Sequence, residues 1–323
     1  MLLLLILAAQ LDAPKLQSDL AAIEKTIDAR LGVCVQTKSS LACNRPAERF
    51  SLQSVMKLPV SMLALDAVDR GKWKLDTKIH FTKNDLSAYN QPIEKRLGPN
   101  GADISVGDLI RSAIIDSDSA AADILLDHLG GPSAMNALFK KWKIEGITID
   151  RTERDLQAEI VGFPWKTEYG DVPTFRAAIA QVPAAIRSQA YAKYQKDPRD
   201  TSTPRAMSEL LRLISDKKLF KPNTQAFLEK AMSDTATGPD RLKAGLAFGW
   251  SLMHKTGTAG SWQGVTAATN DVGILTAPDG ERISVAVFVG DSKSSDEANA
   301  KAIADVVRAI VRRYPAAQSQ KSK

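Results

Sequence analysis

The sequence predicts an α+β protein in which an α/β sandwich is assembled from both ends of the chain and encloses an all-helical middle. Apolar residues recur at helical spacing close to both ends. A strand pair follows the first helix, and clear strand signals return only after Gly249. These strands are joined by short turns, which favours an antiparallel sheet flanked by helices.

Composition is that of an ordinary soluble globular protein. The 323 residues are 44% hydrophobic and 25% charged, and the chain is long enough for two domains. The formal net charge is +6, from 43 Lys and Arg against 37 Asp and Glu, and the basic residues are scattered. A nucleic-acid interface would need them clustered on one face, so no nucleic-acid partner is expected.

The chain starts with an apolar run from Leu2 to Ala9. The run is too short to span a bilayer, and it resembles a signal-peptide core cut after small residues, although the usual basic start is missing. We therefore predict a signal peptide at residues 1–12, truncated or unusual at its start, and export to a periplasm or the exterior. The alternative is an apolar start to the first helix. No stable membrane insertion is expected.

The next segments predict an amphipathic helix at residues 15–30 and a hairpin at residues 31–46. Cys34 and Cys43 lie symmetrically about the hairpin turn, which would place them opposite each other on adjacent strands. A disulfide in an oxidising compartment and two small buried side chains are both compatible with this spacing. The two Cys and three His are too scattered to suggest a metal site.

After the hairpin, the sequence pattern is mostly helical up to about residue 156, and clear strand signals return only near the end of the chain. Helices are predicted at residues 58–68, 106–115, 120–129 and 133–142, strands at 250–254, 264–275 and 283–289, and a closing helix at 296–313. The predicted sandwich domain comprises residues 13–48 and 241–314, the helical domain residues 49–240, and a disordered tail residues 315–323.

A serine and a lysine three residues apart, Ser54 and Lys57, would lie on one face of a helix. A lysine held near neutral charge can take a proton from the serine and make it a nucleophile. The same spacing recurs at Ser215, so it is weak evidence alone. The alternative is a helix-capping serine with its lysine in solvent.

Two further motifs strengthen this interpretation. Ser117-Asp118-Ser119 lies between helical stretches, and its first serine could relay a proton to a leaving nitrogen; the alternative is a helix cap. Lys255-Thr256-Gly257-Thr258 ends an apolar strand and offers a cation, two hydroxyls and backbone donors to an anionic substrate. Gly257 would let a ligand approach the backbone closely. The alternative is a strand that simply ends in a turn.

Together these motifs resemble those of the class A serine β-lactamases, within the penicillin-binding protein and serine β-lactamase superfamily. The resemblance covers nearly the whole mature chain. Tyr89 resembles the family's aromatic gate, and residues 237–242 resemble the stretch before its K-T-G strand. Residues 150–153 resemble the start of the omega loop and residues 197–204 its end, which implies an enlarged omega loop at 150–204.

The resemblance implies hydrolysis of the β-lactam ring through an acyl-serine intermediate, without a cofactor or metal. Ser54 would be the nucleophile, with Lys57, or Glu153 through water, as its base. Glu153 would also activate the deacylating water, and the alternative for it is a surface glutamate. Ser117 would transfer a proton to the ring nitrogen, and the backbone N–H groups of Ser54 and Thr258 would form the oxyanion hole. The substrate carboxylate would be bound by Lys255, Thr256, Thr258 and an added cation, Arg241. Arg151 and Asp200 would form an ion pair that closes the loop.

Three features depart from the family pattern. Ser119 replaces an asparagine that would contact the substrate's side-chain amide, and Gln157 replaces one that would help to hold the water. Between Glu153 and Asp200 lie 46 residues, residues 154–199, far more than usual. A structureless loop of that length would be unusual, so one or two short helices are expected. The insertion would be either a lid over the site or an excursion packed elsewhere.

Two rival functions remain at this point. A D,D-peptidase would use the same serines and lysines on peptidoglycan peptides, but such enzymes lack the base that Glu153 would provide. A non-hydrolysing β-lactam sensor would acylate and stop. In each case the partner is a small molecule or peptide, and a monomer is the expected state.

Overall fold

The computed structural model describes residues 10–314 of the chain. In this range the helices are α1 (Ala13–Glu24), α2 (Lys57–Asp69), α3 (Val106–Ile115), α4 (Ser119–His128), α5 (Gly131–Lys141), α6 (Glu153–Val161), α7 (Val172–Ala180), α8 (Ala184–Tyr194), α9 (Pro204–Ser215), α10 (Pro222–Ser233) and α11 (Asp296–Arg313). The strands are β1 (Arg30–Gln36), β2 (Leu41–Asn44), β3 (Phe50–Ser51), β4 (Lys78–Phe81), β5 (Ala102–Ser105), β6 (Thr201–Ser202), β7 (Ser251–Thr258), β8 (Ser261–Trp262), β9 (Val265–Thr276) and β10 (Arg282–Ser292).

The main sheet is antiparallel and draws its strands from both ends of the chain. Its order is β2-β1-β10-β9-β7, and β8 pairs with β9. Helices α1 and α11 bury one face of the sheet, with Leu16 and Ile303 in that core. Helix α9 and the helical middle cover the other face, where Phe288 joins the larger core. The predicted α+β fold with a flanked antiparallel sheet is confirmed.

The first hairpin has the predicted register. Cys34 pairs with Cys43, and Val35 pairs with Ala42. A disulfide joins the two cysteines, whose Cα atoms are 4.2 Å apart. The predicted helix before the hairpin is too long, since α1 ends at Glu24. Residues 25–29 form turns and bends, and strand β1 already begins at Arg30, where it pairs with β10.

Helix α2 lies at the centre of the helical region. Its apolar residues face all directions, and it packs against α3, α4 and α5, as expected for a helix that is buried on every side. The predicted helices at 106–115 and 296–313 match α3 and α11 residue for residue. The short strand pairs β3–β6 and β4–β5 were not predicted, because two to four residues carry too little periodicity.

The 46-residue insertion is helical, as expected, but it holds more helices than the one or two that were predicted. It contains most of α6, a 3₁₀ turn at Thr167–Gly170, α7 and α8. Phe175 and Tyr169 anchor a separate apolar cluster beneath these helices, with Phe163 and Trp165 packed against it. The insertion is therefore an ordered part of the fold with a small core of its own.

The predicted signal peptide and tail fall largely on residues 1–9 and 315–323, outside the described residues. Leu11, inside the predicted leader, is buried in the core between α1 and α11. Asp12 caps α1 by accepting from the Lys15 N–H, and its own N–H donates to the Arg313 carbonyl at 3.0 Å. A leader ending at residue 12 would remove both residues from the fold. None of the helices in residues 10–314 is long and apolar enough to cross a membrane.

Candidate active site

Ser54 lies on a 3₁₀ turn, Gln53–Met56, that leads directly into α2. Asn270 on β9 holds the preceding segment, since its Nδ2 donates to the Ser51 carbonyl at 2.8 Å and the Leu52 carbonyl at 3.2 Å. Strand β7 packs on the same segment, where a Cβ on Gly257 would lie 2.6 Å from the Leu52 oxygen. The expectation that Gly257 makes room for a ligand is thus incomplete, because the space is needed by the chain that carries Ser54.

Lys57 connects the serine to the glutamate. Its Nζ donates to Ser54 Oγ at 2.7 Å and to Glu153 Oε1 at 2.6 Å. The side chains of Lys57 and Glu153 are 0% and 2% exposed. Both alternatives, a lysine in solvent and a surface glutamate, are therefore wrong. Hydroxyl, ammonium and carboxylate form one hydrogen-bonded path along which a proton can move.

Glu153 is held by Asp123, a residue that sequence reasoning missed. Asp123 on α4 accepts from the N–H groups of Glu153 at 2.7 Å and Arg154 at 3.1 Å, and from Ser87 Oγ at 2.7 Å. Burial raises the pKa of the Asp123 carboxyl to about 7, and the charge of Arg154 opposes the rise. The only sign of this role in the sequence is that Asp123 is an acidic residue among the apolar residues of a helix that proves to be buried.

Ser117 and Lys255 form a second polar pair. Lys255 Nζ donates to Ser117 Oγ at 2.8 Å and to the Thr256 carbonyl at 2.9 Å. Burial, followed by the nearby charge of Lys57, holds the pKa of Lys255 well below its ordinary value. Asp118, and not Ser117, caps α4 by accepting from the Ala121 N–H at 2.8 Å. The Ser117 hydroxyl therefore stays directed at Lys255.

A third group of polar atoms lies around the end of β7. The hydroxyls of Thr237 and Thr256 are 2.6 Å apart. Arg241 donates to Thr258 Oγ1 at 2.7 Å and to the Asn270 carbonyl at 2.9 Å. Burial lowers the pKa of Arg241. The structure thus places the expected additional cation beside Thr258.

Gln157 belongs to a network that begins in the insertion. Its Nε2 donates to Gln53 Oε1 at 2.9 Å. Gln53, immediately before Ser54, has a φ of 47°, which is unfavourable for a residue with a side chain. The buried Tyr194 hydroxyl accepts from Gln53 Nε2 and lies 2.7 Å from Ser51 Oγ. The network therefore joins helix α8 to the residue before the serine, a contact that sequence spacing does not reveal.

Arg151 and Asp200 join the two ends of the insertion. Arg151 Nε donates to Asp200 Oδ2 at 2.6 Å, its backbone N–H donates to Oδ1 at 3.1 Å, and both side chains are buried. Arg151 Nη1 also donates to Glu159 at 2.6 Å. The pair lies where the resemblance places it, and it fixes the segment in which Glu153 begins α6.

These groups surround one cavity of about 540 Å³. Ser54, Ser117, Glu153 and the remaining predicted substrate contacts line it, namely Tyr89, Ser119, Gln157, Arg241, Thr256, Gly257 and Thr258. The insertion supplies part of the wall through Ile160, Val161, Arg187 and Tyr191. Across residues 10–314, no group of three or more His, Cys, Asp and Glu side chains is placed to hold a metal.

Comparisons with known proteins show the family to which this chain belongs. A family model described as the beta-lactamase enzyme family matches residues 15–314. The chain is 30% identical to β-lactamase VEB-1 of Pseudomonas aeruginosa, over 88% of this chain and 85% of the relative. It is also 30% identical to the extended-spectrum β-lactamase PER-1 of the same organism, over 92% and 86%. A solved β-lactamase structure from Chitinophaga pinensis superposes with a TM-score of 0.75 at 28% identity, over 91% of this chain and 97% of that one.

We predict that Asp123 makes stability depend on pH. Its pKa in the folded protein, about 7, lies above the ordinary value of 3.8, so the folded protein binds this proton more tightly than the unfolded chain. The resulting stabilisation is complete below about pH 4 and is lost as the pH rises to 7. Urea titrations measure the free energy of unfolding of wild type and of Asp123→Asn at each pH. The difference, wild type minus variant, should fall as the pH rises from about 4 to 7. A difference that does not vary with pH would contradict the assignment.

Replacing Tyr194 by Phe should destabilise the protein by about 1–3 kcal/mol, because it leaves the buried Gln53 amide without its acceptor. Tyr169 provides a matched control, since it is also buried in the insertion and its hydroxyl has no hydrogen bond to any described residue. Tyr169→Phe should change stability by less than about 0.5 kcal/mol. Chemical denaturation of both variants checks this, and equal losses would refute a special role for the Tyr194 hydroxyl.

Proposed function

Because the chain belongs to the β-lactamase enzyme family, as a class A serine β-lactamase, we propose that Ser54, Lys57 and Glu153 carry out the acylation and deacylation of its substrates. The protein is an enzyme that hydrolyses the β-lactam ring of antibiotics, and this activity confers resistance. The observation that carries the assignment is the buried path from Ser54 Oγ through Lys57 Nζ to Glu153 Oε1.

In acylation, Ser54 Oγ attacks the β-lactam carbonyl and the ring C–N bond breaks. Lys57 becomes a base when its ammonium passes a proton to Glu153 Oε1, 2.6 Å away, and the resulting amine takes the serine proton. Alternatively, Glu153 takes the serine proton through water. The backbone N–H groups of Ser54 and Thr258 stabilise the oxyanion. Ser117 gives its proton to the ring nitrogen and is resupplied by Lys255. The contact of 2.8 Å between them and the depressed pKa of Lys255 support this role.

The ring carboxylate is held at the end of β7. Thr256 and Thr258 offer hydroxyls, and Arg241 and Lys255 supply positive charge. A guanidinium matches a carboxylate in shape and donates two parallel hydrogen bonds. Ser119 and Tyr89 border the same cavity, where they contact the rest of the substrate.

In deacylation, Glu153 takes a proton from a water molecule that attacks the acyl-serine. Gln157 lines the cavity beside Glu153, and its amide is already oriented by Gln53. The longer glutamine side chain therefore provides the polar group that positions the water, in place of the family's asparagine.

The enlarged omega loop, residues 150–204, acts as a wall of the site rather than as a separate excursion. The single hydroxyl proton of Tyr191 on α8 is shared between the carbonyls of Gly260 and Val265, at 3.0 and 2.9 Å, and the hydroxyl oxygen accepts from the Ala267 N–H at 2.9 Å. The loop is thus attached to the hairpin whose residues Gly260 and Trp262 also line the cavity. We expect it to reshape substrate entry.

Removing the Glu153 carboxylate should trap the acyl-enzyme. Glu153→Ala should form a Ser54 adduct with a chromogenic cephalosporin and turn over at least 10²-fold more slowly, because the water loses its base. Intact mass and absorbance, followed together, measure both effects. The exposed Glu168 is a control, and Glu168→Ala should behave like wild type. Undiminished turnover by Glu153→Ala would refute its role.

Export with removal of a short leader is proposed for the N-terminus. The apolar run before residue 10 and the disulfide between Cys34 and Cys43 support a destination outside the cytoplasm. We predict that cleavage occurs before Leu11, because Leu11 is buried and Asp12 caps α1. N-terminal sequencing of protein recovered from the periplasm or medium checks this. Mature protein starting after Asp12 would contradict it.

A further inference from the structure

Arg187 lines the cavity, and the proposed mechanism gives its positive charge no role. It lies on α8, in the insertion, and borders the same cavity as Ser54. Its guanidinium carbon is 3.9 Å from the ring centroid of Trp262, close enough for a cation–π interaction. Among residues 10–314, no carboxylate forms a salt bridge with Arg187. The stacked guanidinium therefore keeps its hydrogen-bonding capacity for another partner.

The surroundings of Arg187 are held in place. Trp262 Nε1 donates to Ser188 Oγ at 3.0 Å, so the indole is attached to the same helix as the guanidinium. One turn further along α8, the Tyr191 hydroxyl binds three backbone groups of the hairpin that carries Trp262. Stacking restricts the guanidinium to one plane. A group oriented in advance loses less entropy when it binds a ligand.

The charge balance of the cavity favours an anion near Arg187. Glu153 is the only carboxylate among the residues that line the cavity, and Lys57 already pairs with it. Burial raises the pKa of Tyr89, whereas the charges of Arg187 and Arg176 oppose that rise. The field of Arg187 thus extends to Tyr89, which also lines the cavity.

Two cations contact different parts of the same hairpin. Arg241 donates to Thr258 at the end of β7, whereas Arg187 stacks on Trp262, four residues further along the chain. Arg241 is already assigned to the ring carboxylate. The two cations thus border the cavity at separate places, so a second anionic group on a bound β-lactam can meet Arg187 while Arg241 holds the ring carboxylate.

We propose that Arg187, stacked on Trp262, forms a subsite for a carboxylate on the acylamino side chain of the substrate. Arginine suits this task because its planar fork donates two parallel hydrogen bonds to a carboxylate. The subsite rests on the proposed function, since it selects among β-lactams that Ser54 attacks. The insertion would then determine substrate specificity, by favouring β-lactams whose acylamino side chain carries a negative charge.

The test compares two penicillins that differ in one carboxylate, benzylpenicillin and its α-carboxy analogue carbenicillin. In Arg187→Gln, kcat/KM for carbenicillin should fall about tenfold, the scale of one charge-assisted contact, and kcat/KM for benzylpenicillin by less than twofold. The difference should shrink in high salt, because the site is partly open to solvent. Arg187→Lys should recover part of the preference, since it keeps the charge and loses the planar fork.

Lys193→Gln is the matched control. Lys193 is an exposed cation on the same helix, α8, and does not line the cavity, so both substrates should keep their wild-type kcat/KM. Equal losses for the two penicillins in Arg187→Gln would overturn the subsite and leave Arg187 as an anchor for α8. Hydrolysis of neither penicillin by the wild type would overturn the proposed function, and the subsite with it.

Discussion

The buried ion pair between Lys57 and Glu153 is the interaction on which the arrangement of the site depends. Both side chains are almost completely removed from water, and such a pair is tolerated only when its geometry and its other hydrogen bonds are satisfied. The two residues are 96 positions apart in the chain. The fold must therefore bring α2 and α6 together precisely, and Asp123 holds the start of α6 through two backbone N–H groups. The Ser54 hydroxyl, bonded to the same ammonium, takes its position from this pair.

The insertion is more closely integrated with the site than its length suggests. Long surface insertions are usually tolerated because loop closure costs little extra free energy. This one has its own apolar cluster, and the pair between Arg151 and Asp200 closes it at its base. Tyr194 connects it to Gln53, beside the serine, and Tyr191 connects it to the strands across the cavity. Tyr191 and Tyr194 thus support two parts of the cavity surroundings, which makes the insertion part of the cavity wall.

Several elements of the fold were predictable from local pattern. Helices α3 and α11 and the register of the first hairpin follow from residues close in sequence, whose periodicity and turn are visible without the rest of the chain. The short strands, the end of α1 at Glu24 and the joining of α9 to the sheet were not predicted, because each depends on a partner far along the chain. The position of Leu11 in the core is a result of the same kind.

The sequence by itself determined which side chains are predicted for the candidate site and their order along the chain. Ser54, Lys57, Ser117, Glu153 and Lys255 were all identifiable from motifs of adjacent residues. Only the tertiary structure decided what surrounds them. It shows that Asp123 accepts a hydrogen bond from the backbone N–H of Glu153 and that Tyr194 accepts one from Gln53. It also shows that Arg187, in the insertion, lines the cavity. The physical reason is that motif chemistry depends on neighbours along the chain, whereas burial, pKa and charge balance depend on neighbours in space, and the hydrophobic packing of the whole chain sets these.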